Sequence, residues 1–353
     1  VTGALPPVWN PASDEDLVCV AVRRETHDVA TFVFAAAEPR LFHFLPGQFM
    51  TLELAAAGVQ RCYTIASPPT RPHRIEVTAK RTPAGIGSGW LHDAMRPGVR
   101  VSASLPRGAF TFTPQQAGRV LFLSAGSGIT PLMSMARTAH DLGSDTDILF
   151  VHSARSPADL VFADELSAMT RRPGFARVSI VEEVPAGTAW DGLRGRLSPA
   201  MLQAAAPDLL TRDVFCCGPA PYMAAVRAML DTAGFDRARY HEESFAFAAL
   251  DVPAPEPTPV SPSGAGQIFT VAFARAGRTV ACPPGSTILA AARAAGLRLP
   301  FACSKGVCGT CKSRLISGIV ELHHGGGIRQ REIDAGMTLL CCARPTSDLV
   351  VDR

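Results

Sequence analysis

The sequence predicts three domains in the order antiparallel β-barrel, parallel α/β sheet and small α+β unit. Three features carry this: short β-branched and aromatic runs broken by Gly and Pro over residues 17 to 112, apolar runs alternating with helical stretches from about 117, and the proline-rich stretch "DVPAPEPTPVSPSGAG" at 251 to 266. The expected boundaries are 1–115, 116–249, a linker at 250–265 and 266–353.

The first domain is read from "LVCVAVRR", "TFVFAAA", "RIEVTAKR" and "VRVSASL", each short enough for one strand and closed by turn residues. In the second, "RVLFLSAG", "DILFVHSA", "RVSIVEEV" and "DVFCCG" alternate with the helical "PLMSMARTAHDLG" and "PYMAAVRAMLDTAG", the rhythm of a parallel sheet. Alternating prolines make the spacer extended and unable to bury much surface. Beyond it, "QIFTVAFARAGRTVACPPGSTILAAARAAG" gives two strands, a turn and a helix, and "SDLVVD" a last strand.

Composition removes several classes of function. Of the 353 residues 47% are apolar and 18% charged, and no apolar run approaches the roughly 20 residues a bilayer crossing needs. A net charge of +3, with Lys and Arg dispersed, gives no nucleic-acid groove. Five of the ten cysteines lie between Cys303 and Cys342, unlike the even framework of a disulfide-rich secreted domain, so a reducing cytoplasmic compartment is expected. The first residues show no basic segment followed by an apolar core, and no signal peptide is expected.

"CSKGVCGTC", 303 to 311, spaces Cys303, Cys308 and Cys311 as C-x4-C-x2-C, with Cys341 and Cys342 further on. This matches the plant-type 2Fe-2S pattern, in which four thiolates hold two irons. A zinc site would show two CxxC knuckles, and one stands here. Gly306 and Gly309 leave room for backbone N–H groups to approach the sulfides. "PFACSKGVCGTCKSRLISG" with "LLCCARP" resembles the β-grasp ferredoxin domain at the C-terminus of some flavin reductases. In that family an Arg-Pro or His-Pro pair stands two residues beyond the fourth ligand, which implies Cys341 rather than Cys342.

"RCYTIAS", 61 to 67, follows "PGQFM", 46 to 50, as in the ferredoxin-NADP reductase superfamily. Arg61 offers a fork of donors to a phosphate, Tyr63 a ring to lie against an isoalloxazine, and Thr64 a hydroxyl for its N5 region. Lys80 closes the next strand and is a candidate for a charge near the flavin. "GIGSGWLHDAM", 85 to 95, resembles the segment where FAD-type members seat the pyrophosphate, with Gly87 and Ser88 presenting amides at a helix start. FAD is expected, with FMN the alternative, because phthalate dioxygenase reductase has the same domain order and uses FMN.

"LSAGSGITPLMS", 123 to 134, ends a strand and opens a helix, placing Gly126, Gly128, Thr130 and Pro131 as a dinucleotide lip. Gly218 and Pro219 follow 87 residues after Pro131, and the resemblance puts Cys217 beside the reactive nicotinamide carbon. Ser153 and Arg155 are placed to reach the adenosine ribose. No further basic cluster awaits a 2′-phosphate, so NADH is expected, with NADPH the alternative. "YHEESFAF" resembles the segment closing the nucleotide domain near the flavin, assigning Glu243 and Phe245. Thr64, Cys217 and Glu243 are the expected catalytic residues.

Nicotinamide gives up a hydride, a 2Fe-2S centre carries one electron, and a flavin converts one currency into the other. The order of sites implies flow from NADH to flavin to cluster to an outside acceptor. There is no Rieske ligand set, haem motif or mononuclear iron triad, so the acceptor belongs to another polypeptide. The resemblance covers nearly the whole chain and implies the reductase of a multicomponent oxygenase, nearest to those serving Rieske-type monooxygenases of glycine betaine, carnitine or proline betaine. Alternatives are a reductase for a hybrid-cluster protein, a nitric-oxide system or a phenylacetyl-CoA system, and a redox sensor that never delivers its electrons.

Residues 267 to 353 hold 11 Lys and Arg against 5 Asp and Glu, a balance of +6, while the remaining chain, 23 against 26, carries −3. A basic delivery domain suits an acidic oxygenase surface. Stopped-flow reduction of the oxygenase is therefore expected to slow as ionic strength rises through the range where the Debye length shrinks to about 8 Å; a salt-independent rate removes the idea.

Overall fold

The computed structural model describes residues 5–11, 14, 16–54, 59–83, 85–114, 118–245, 268–297, 299, 306, 311–324, 328 and 330–353. Compactness divides the chain once, into Val1–Ala248 and Ala249–Arg353. The expected linker, 250–265, lies outside the described residues.

The first unit opens with β1 (Leu17–Arg24), β2 (Val29–Ala35), β3 (Phe49–Leu54), β4 (Val59–Thr64), β5 (Ile75–Lys80), α1 (Ile86–Ala94) and β6 (Arg100–Ala103). The strands pair antiparallel in the order β4-β3-β6-β1-β2-β5. An antiparallel bridge from Ile65 to Val77 joins the two edges and closes the sheet into a barrel. Inward-facing Leu17, Phe32, Phe34, Met50, Leu52 and Ile75 are fully buried and form its core.

Next come β7 (Arg119–Ala125), a 3₁₀ turn (Gly126–Gly128), α2 (Ile129–Asp141), β8 (Asp147–Ala154), α3 (Ala163–Met169) and β9 (Phe175–Val181). They are followed by β10 (Leu193–Arg194), α4 (Pro199–Ala205), β11 (Asp213–Gly218), α5 (Ala220–Thr232) and β12 (Tyr240–Ser244). All six strands are parallel, in the order β10-β9-β8-β7-β11-β12. Strands successive to β7 run outward on one side, and β11 and β12 fill the other. The order therefore reverses between β7 and β11, where open α/β sheets bind ligands. Alternating apolar residues bury both faces: Phe122, Phe150 and Phe215 pack toward α2 and α3, and Leu121, Leu123 and Val214 toward α4 and α5.

The second unit contains β13 (Phe269–Phe273), β14 (Arg278–Cys282), α6 (Ile288–Ala294), β15 (Lys312–Ser317), β16 (Val320–Leu322), α7 (Gln330–Asp334), β17 (Met337–Leu339), β18 (Ala343–Pro345) and β19 (Leu349–Val351). Its main sheet has the order β14-β13-β19-β15-β17, with β13 and β19 parallel, and β16 pairs with β18. The thiols of Cys282, Cys311 and Cys341 share its core with Val271, Phe273 and Leu339.

Phe122 meets Phe112, Phe150 and Phe215 edge-on at 5.6 to 5.8 Å between ring centroids. Phe122→Ala is expected to destabilise the first unit by about 3–5 kcal/mol, read by chemical denaturation, because three rings lose their common neighbour and a cavity remains.

Candidate functional site

The flavin candidates sit where β4 ends and α1 begins. Arg61, Tyr63 and Thr64 are held by pairing with Leu52, Met50 and Phe49 on β3. A Cβ on Gly87 would stand 2.8 Å from Arg61 Cγ, so glycine is what lets the head of α1 sit on the arginine. The N-cap, Gly85, provides no side-chain cap, and no acid lies in the first turn, which leaves the helix start suited to an anion. The Ser88 hydroxyl is spent on the turn itself, accepting from the Thr82 amide at 3.1 Å and donating to Gly85 O at 3.4 Å. Thr64 is 5% exposed and its Oγ1 finds no partner among the described residues. A buried hydroxyl in that state fits a ligand acceptor.

Sequence reading missed Arg107. Its backbone exchanges two hydrogen bonds with Phe49, the partner of Thr64, and its Nε is buried without a partner among the described residues. The signal was weak: one Arg in "LPRGAF".

Lys80 and Arg155, expected at different ligands, converge on one carboxylate. Lys80 Nζ lies 2.9 Å and Arg155 Nη2 3.6 Å from Asp28 Oδ2, with Asp159 3.5 Å from Arg155. Burial opposes the charge on Asp28, but Lys80 outweighs it and holds the carboxyl below its ordinary range. The three line a cleft of about 580 Å³ with Gly85, Gly89 and Trp90.

At the switch point the two glycines of the lip have different work. Gly126 has φ +54 and open space around it, while a Cβ on Gly128 would stand 2.3 Å from Cys217 O. Thr130 Oγ1 donates to Ser127 O at 3.2 Å, and Pro131 is buried in the first turn of α2. Across the gap, Gly218 lies under Tyr222 and Pro219 caps α5. Ser153 Oγ, at the end of β8, is buried with no well-formed hydrogen bond among the described residues.

Strand register aligns His152, Ser124, Cys217 and Glu243 in one row of the sheet. The Cys217 thiol is fully buried, and burial first, then Glu243 and Cys216, push its pKa well up. It is a neutral thiol at physiological pH. Phe245 packs against the same cluster. Ser124 Oγ and His152 Nδ1 lie 2.8 Å apart, and burial lowers the His152 pKa to about 4, so the imidazole is neutral. Glu243 is partly exposed as a residue, yet its Oε2 is sealed and unpartnered among the described residues, and burial pushes the carboxyl up to about 8.

In the second unit Cys311 and Cys341 are 2% and 6% exposed. The Cys341 amide donates to Cys311 Sγ at 3.4 Å, and the Gly306 amide to Cys341 Sγ at 3.2 Å. Gly306 adopts φ +70, and a Cβ there would stand 2.6 Å from Cys342 Sγ. Amides aimed at two buried sulfurs fit thiolate ligands of a cluster. Cys303 and Cys308 lie outside the described residues.

Comparison with known proteins gives the modules their descriptions. Residues 17–112 match an oxidoreductase FAD-binding domain, 122–228 an oxidoreductase NAD-binding domain and 271–346 a 2Fe-2S iron-sulfur cluster binding domain. Over 349 residues, 95% of this chain and 94% of the relative, it is 44% identical to the glycine betaine monooxygenase reductase subunit of Pseudomonas aeruginosa. The chain belongs to the family of flavin, nicotinamide and 2Fe-2S reductases that serve oxygenases. The stachydrine N-demethylase reductase subunit of Rhizobium meliloti is 41% identical over 350 residues, covering 98% of this reductase and 97% of the relative. The solved structure of phthalate dioxygenase reductase, a modular protein for electron transfer from pyridine nucleotides to 2Fe-2S, is similar with TM-score 0.61 and 25% identity, over 98% of this reductase and all of that chain. The reductase is an NADH-dependent oxidoreductase that uses FAD and a 2Fe-2S cluster and passes electrons to a separate oxygenase component. No helix among its described residues is long and apolar enough to cross a membrane.

The raised Glu243 pKa has a consequence for stability. Below the ordinary carboxyl value of 4.5 both folded and unfolded states keep the proton, and the group's contribution is fully present; it is lost as pH rises through about 8, because the unfolded chain ionises and the folded one resists. Thermal midpoints of the reductase and of Glu243→Gln measured from pH 5 to pH 8 are therefore expected to diverge, with the variant gaining on the parent as pH rises. Parallel profiles contradict the buried, protonated carboxyl.

Proposed function

We propose that this chain is the reductase component of a Rieske-type monooxygenase system acting on a quaternary ammonium compound, and that it works in the cytoplasm. The relatives named for glycine betaine and stachydrine support the substrate class. The observation that carries the chemistry is the switch point between β7 and β11, where the Gly126–Pro131 lip and Gly218–Pro219 converge over the buried row of Cys217 and Glu243.

FAD, when bound, turns a two-electron hydride into single electrons, and the 2Fe-2S cluster carries these onward one at a time. Arg61 and the uncapped start of α1, with Gly87 and Ser88, hold the flavin phosphates. Tyr63 gives its ring to the isoalloxazine, and Thr64 donates its Oγ1, which has no partner among the described residues. Gly126, Gly128, Thr130 and Pro131 hold the dinucleotide from one side and Gly218 and Pro219 from the other, while Ser153 and Arg155 face its adenosine half. Cys217 contributes a neutral, water-excluding surface, Glu243 holds a proton at its carboxyl, and Phe245 closes the apolar wall. Lys80 acts through Asp28, which it neutralises beside the α1 cleft. Cys303, Cys308, Cys311 and Cys341 hold the cluster.

Two adjacent cysteines permit a sharp test. Cys341→Ser is expected to lower NADH-driven cytochrome c reduction by at least about tenfold while ferricyanide reduction persists, because the one-electron outlet is lost and the flavin remains. Cys342→Ser is expected to match the parent in both assays. NADH-dependent demethylation of glycine betaine or stachydrine by the purified oxygenase, supported by the parent and not by Cys341→Ser, tests the acceptor.

A further inference from the structure

α2 carries a polar stripe whose members beyond Thr130 are not used by the chemistry above. Ser134, Arg137 and Asp141 follow Thr130 at intervals of four, three and four residues, so all four lie along one face of the helix. Below Thr130, each member of the stripe grips the chain that leaves β4. Ser134 Oγ donates to Ser67 O at 2.8 Å, Arg137 Nη1 donates to Ala66 O at 2.8 Å, and Asp141 accepts from Thr70 Oγ1 at 2.6 Å and from Arg71 through both carboxylate oxygens. The segment so held, Ala66 to Arg71, begins two residues after Thr64.

Arg137 is the centre of this contact. It is 3% exposed, with Nε and Nη2 forked onto the Glu165 carboxylate at 2.8 and 2.6 Å. Nη1 also reaches Glu76 Oε2 at 3.2 Å, and Glu76 accepts as well from Nη1 and Nη2 of Arg23, each at 3.0 Å. One guanidinium thus ties together β5, the end of β4 and α3. Its face lies 4.8 Å from the centre of the Phe162 ring. Phe162 has φ +57, the one non-glycine residue with positive φ among those described. A bulky side chain seldom keeps that conformation unless its surroundings fix it, and here the ring completes the floor beneath Arg137.

Position along the helix gives the arrangement its meaning. Arg137 lies seven residues, about 10 Å, beyond Thr130, so the helix is pinned two turns below its nucleotide-facing start. The other end of each contact lies just past the residues that face the flavin. We propose that Arg137 is a positioning residue for hydride transfer, fixing the Gly126–Pro131 lip relative to Tyr63 and Thr64 so that the nicotinamide hydride meets the flavin at reacting distance. This rests on the functional reading above. Arg137 touches neither ligand; it acts through α2 and the β4 end, and small displacements of reacting groups are costly in rate.

The test uses the full-length, FAD- and cluster-loaded protein. Anaerobic stopped-flow reduction of the flavin over a series of NADH concentrations separates the limiting rate from the NADH Kd, and hydrogen–deuterium exchange reports on residues 64–71 and 160–166. Arg137→Lys keeps the charge but not the fork and is expected to lower the limiting rate about tenfold, with Kd within about twofold and FAD content unchanged. Glu165→Gln, which leaves Arg137 in place, is expected to fall between the two and serves if Arg137→Lys fails to load FAD. Exchange in both segments is expected to quicken in step with the loss of rate. Limiting rates equal to the parent's in the folded variants, or a loss accounted for by missing FAD, overturn the proposal. A parent protein whose flavin NADH does not reduce sinks the functional reading itself.

Discussion

The approach of Gly128 to the carbonyl of Cys217 sets the geometry of the nucleotide half. A Cβ there would stand 2.3 Å from that oxygen, so the start of α2 lies against the end of β11 only because the residue is glycine. That contact brings the two arms of the switch point together across the gap between neighbouring strands. Parallel register carries Cys217 to Ser124 on one side and Glu243 on the other, so the same contact stands beside one buried row of the sheet. Once this row is placed, its chemistry follows first from burial: a neutral thiol, a neutral imidazole and a carboxyl that keeps its proton.

Buried polar groups without partners mark the same places from another direction. Among the described residues Thr64, Arg107, Ser153 and Glu243 each present a sealed donor or acceptor that the chain does not satisfy. Leaving such a group unpaired costs about 1–3 kcal/mol, and a folded protein retains several only where something else completes them. Thr64 and Arg107 are linked through the backbone of Phe49, and Ser153 and Glu243 stand at the C-terminal ends of strands in the parallel sheet. The other side chains in that state are Trp9, which belongs to the barrel core, and His152, Tyr222 and Thr338.

What the sequence revealed depended on how local the physics was. The strand end, turn and helix start at Gly126–Pro131 were legible because turn geometry and close approach demand particular residue types at fixed offsets. The alternation of strands and helices was legible because each strand buries both faces and each helix one. Lys80 and Arg155 were read as separate contacts, yet they meet at Asp28, 52 and 127 residues away from it in sequence, and no local pattern encodes that meeting. Arg137 was invisible for the same reason: a single Arg inside "SMARTAH" gains its role from Ala66, Glu76 and Glu165, which only the tertiary fold brings to it.

The second unit couples its stability to its chemistry more directly than the first. Cys311 and Cys341 belong to its apolar core, alongside Leu339, Leu340 and Ala343. A thiolate in such surroundings is strongly disfavoured unless positive charge and hydrogen bonds compensate it, and two amide donors at 3.2 and 3.4 Å supply only part of that. Irons bound by the four cysteines would supply the rest, so formation of the cluster and completion of this core are linked equilibria. Cys342, one residue on, lies against Gly306 and donates weakly to Leu339 O at 3.7 Å, which places its thiol at the edge of the same core. The Gly306 and Cys341 amides thus tie the backbone on either side of this core to the sulfurs of Cys341 and Cys311.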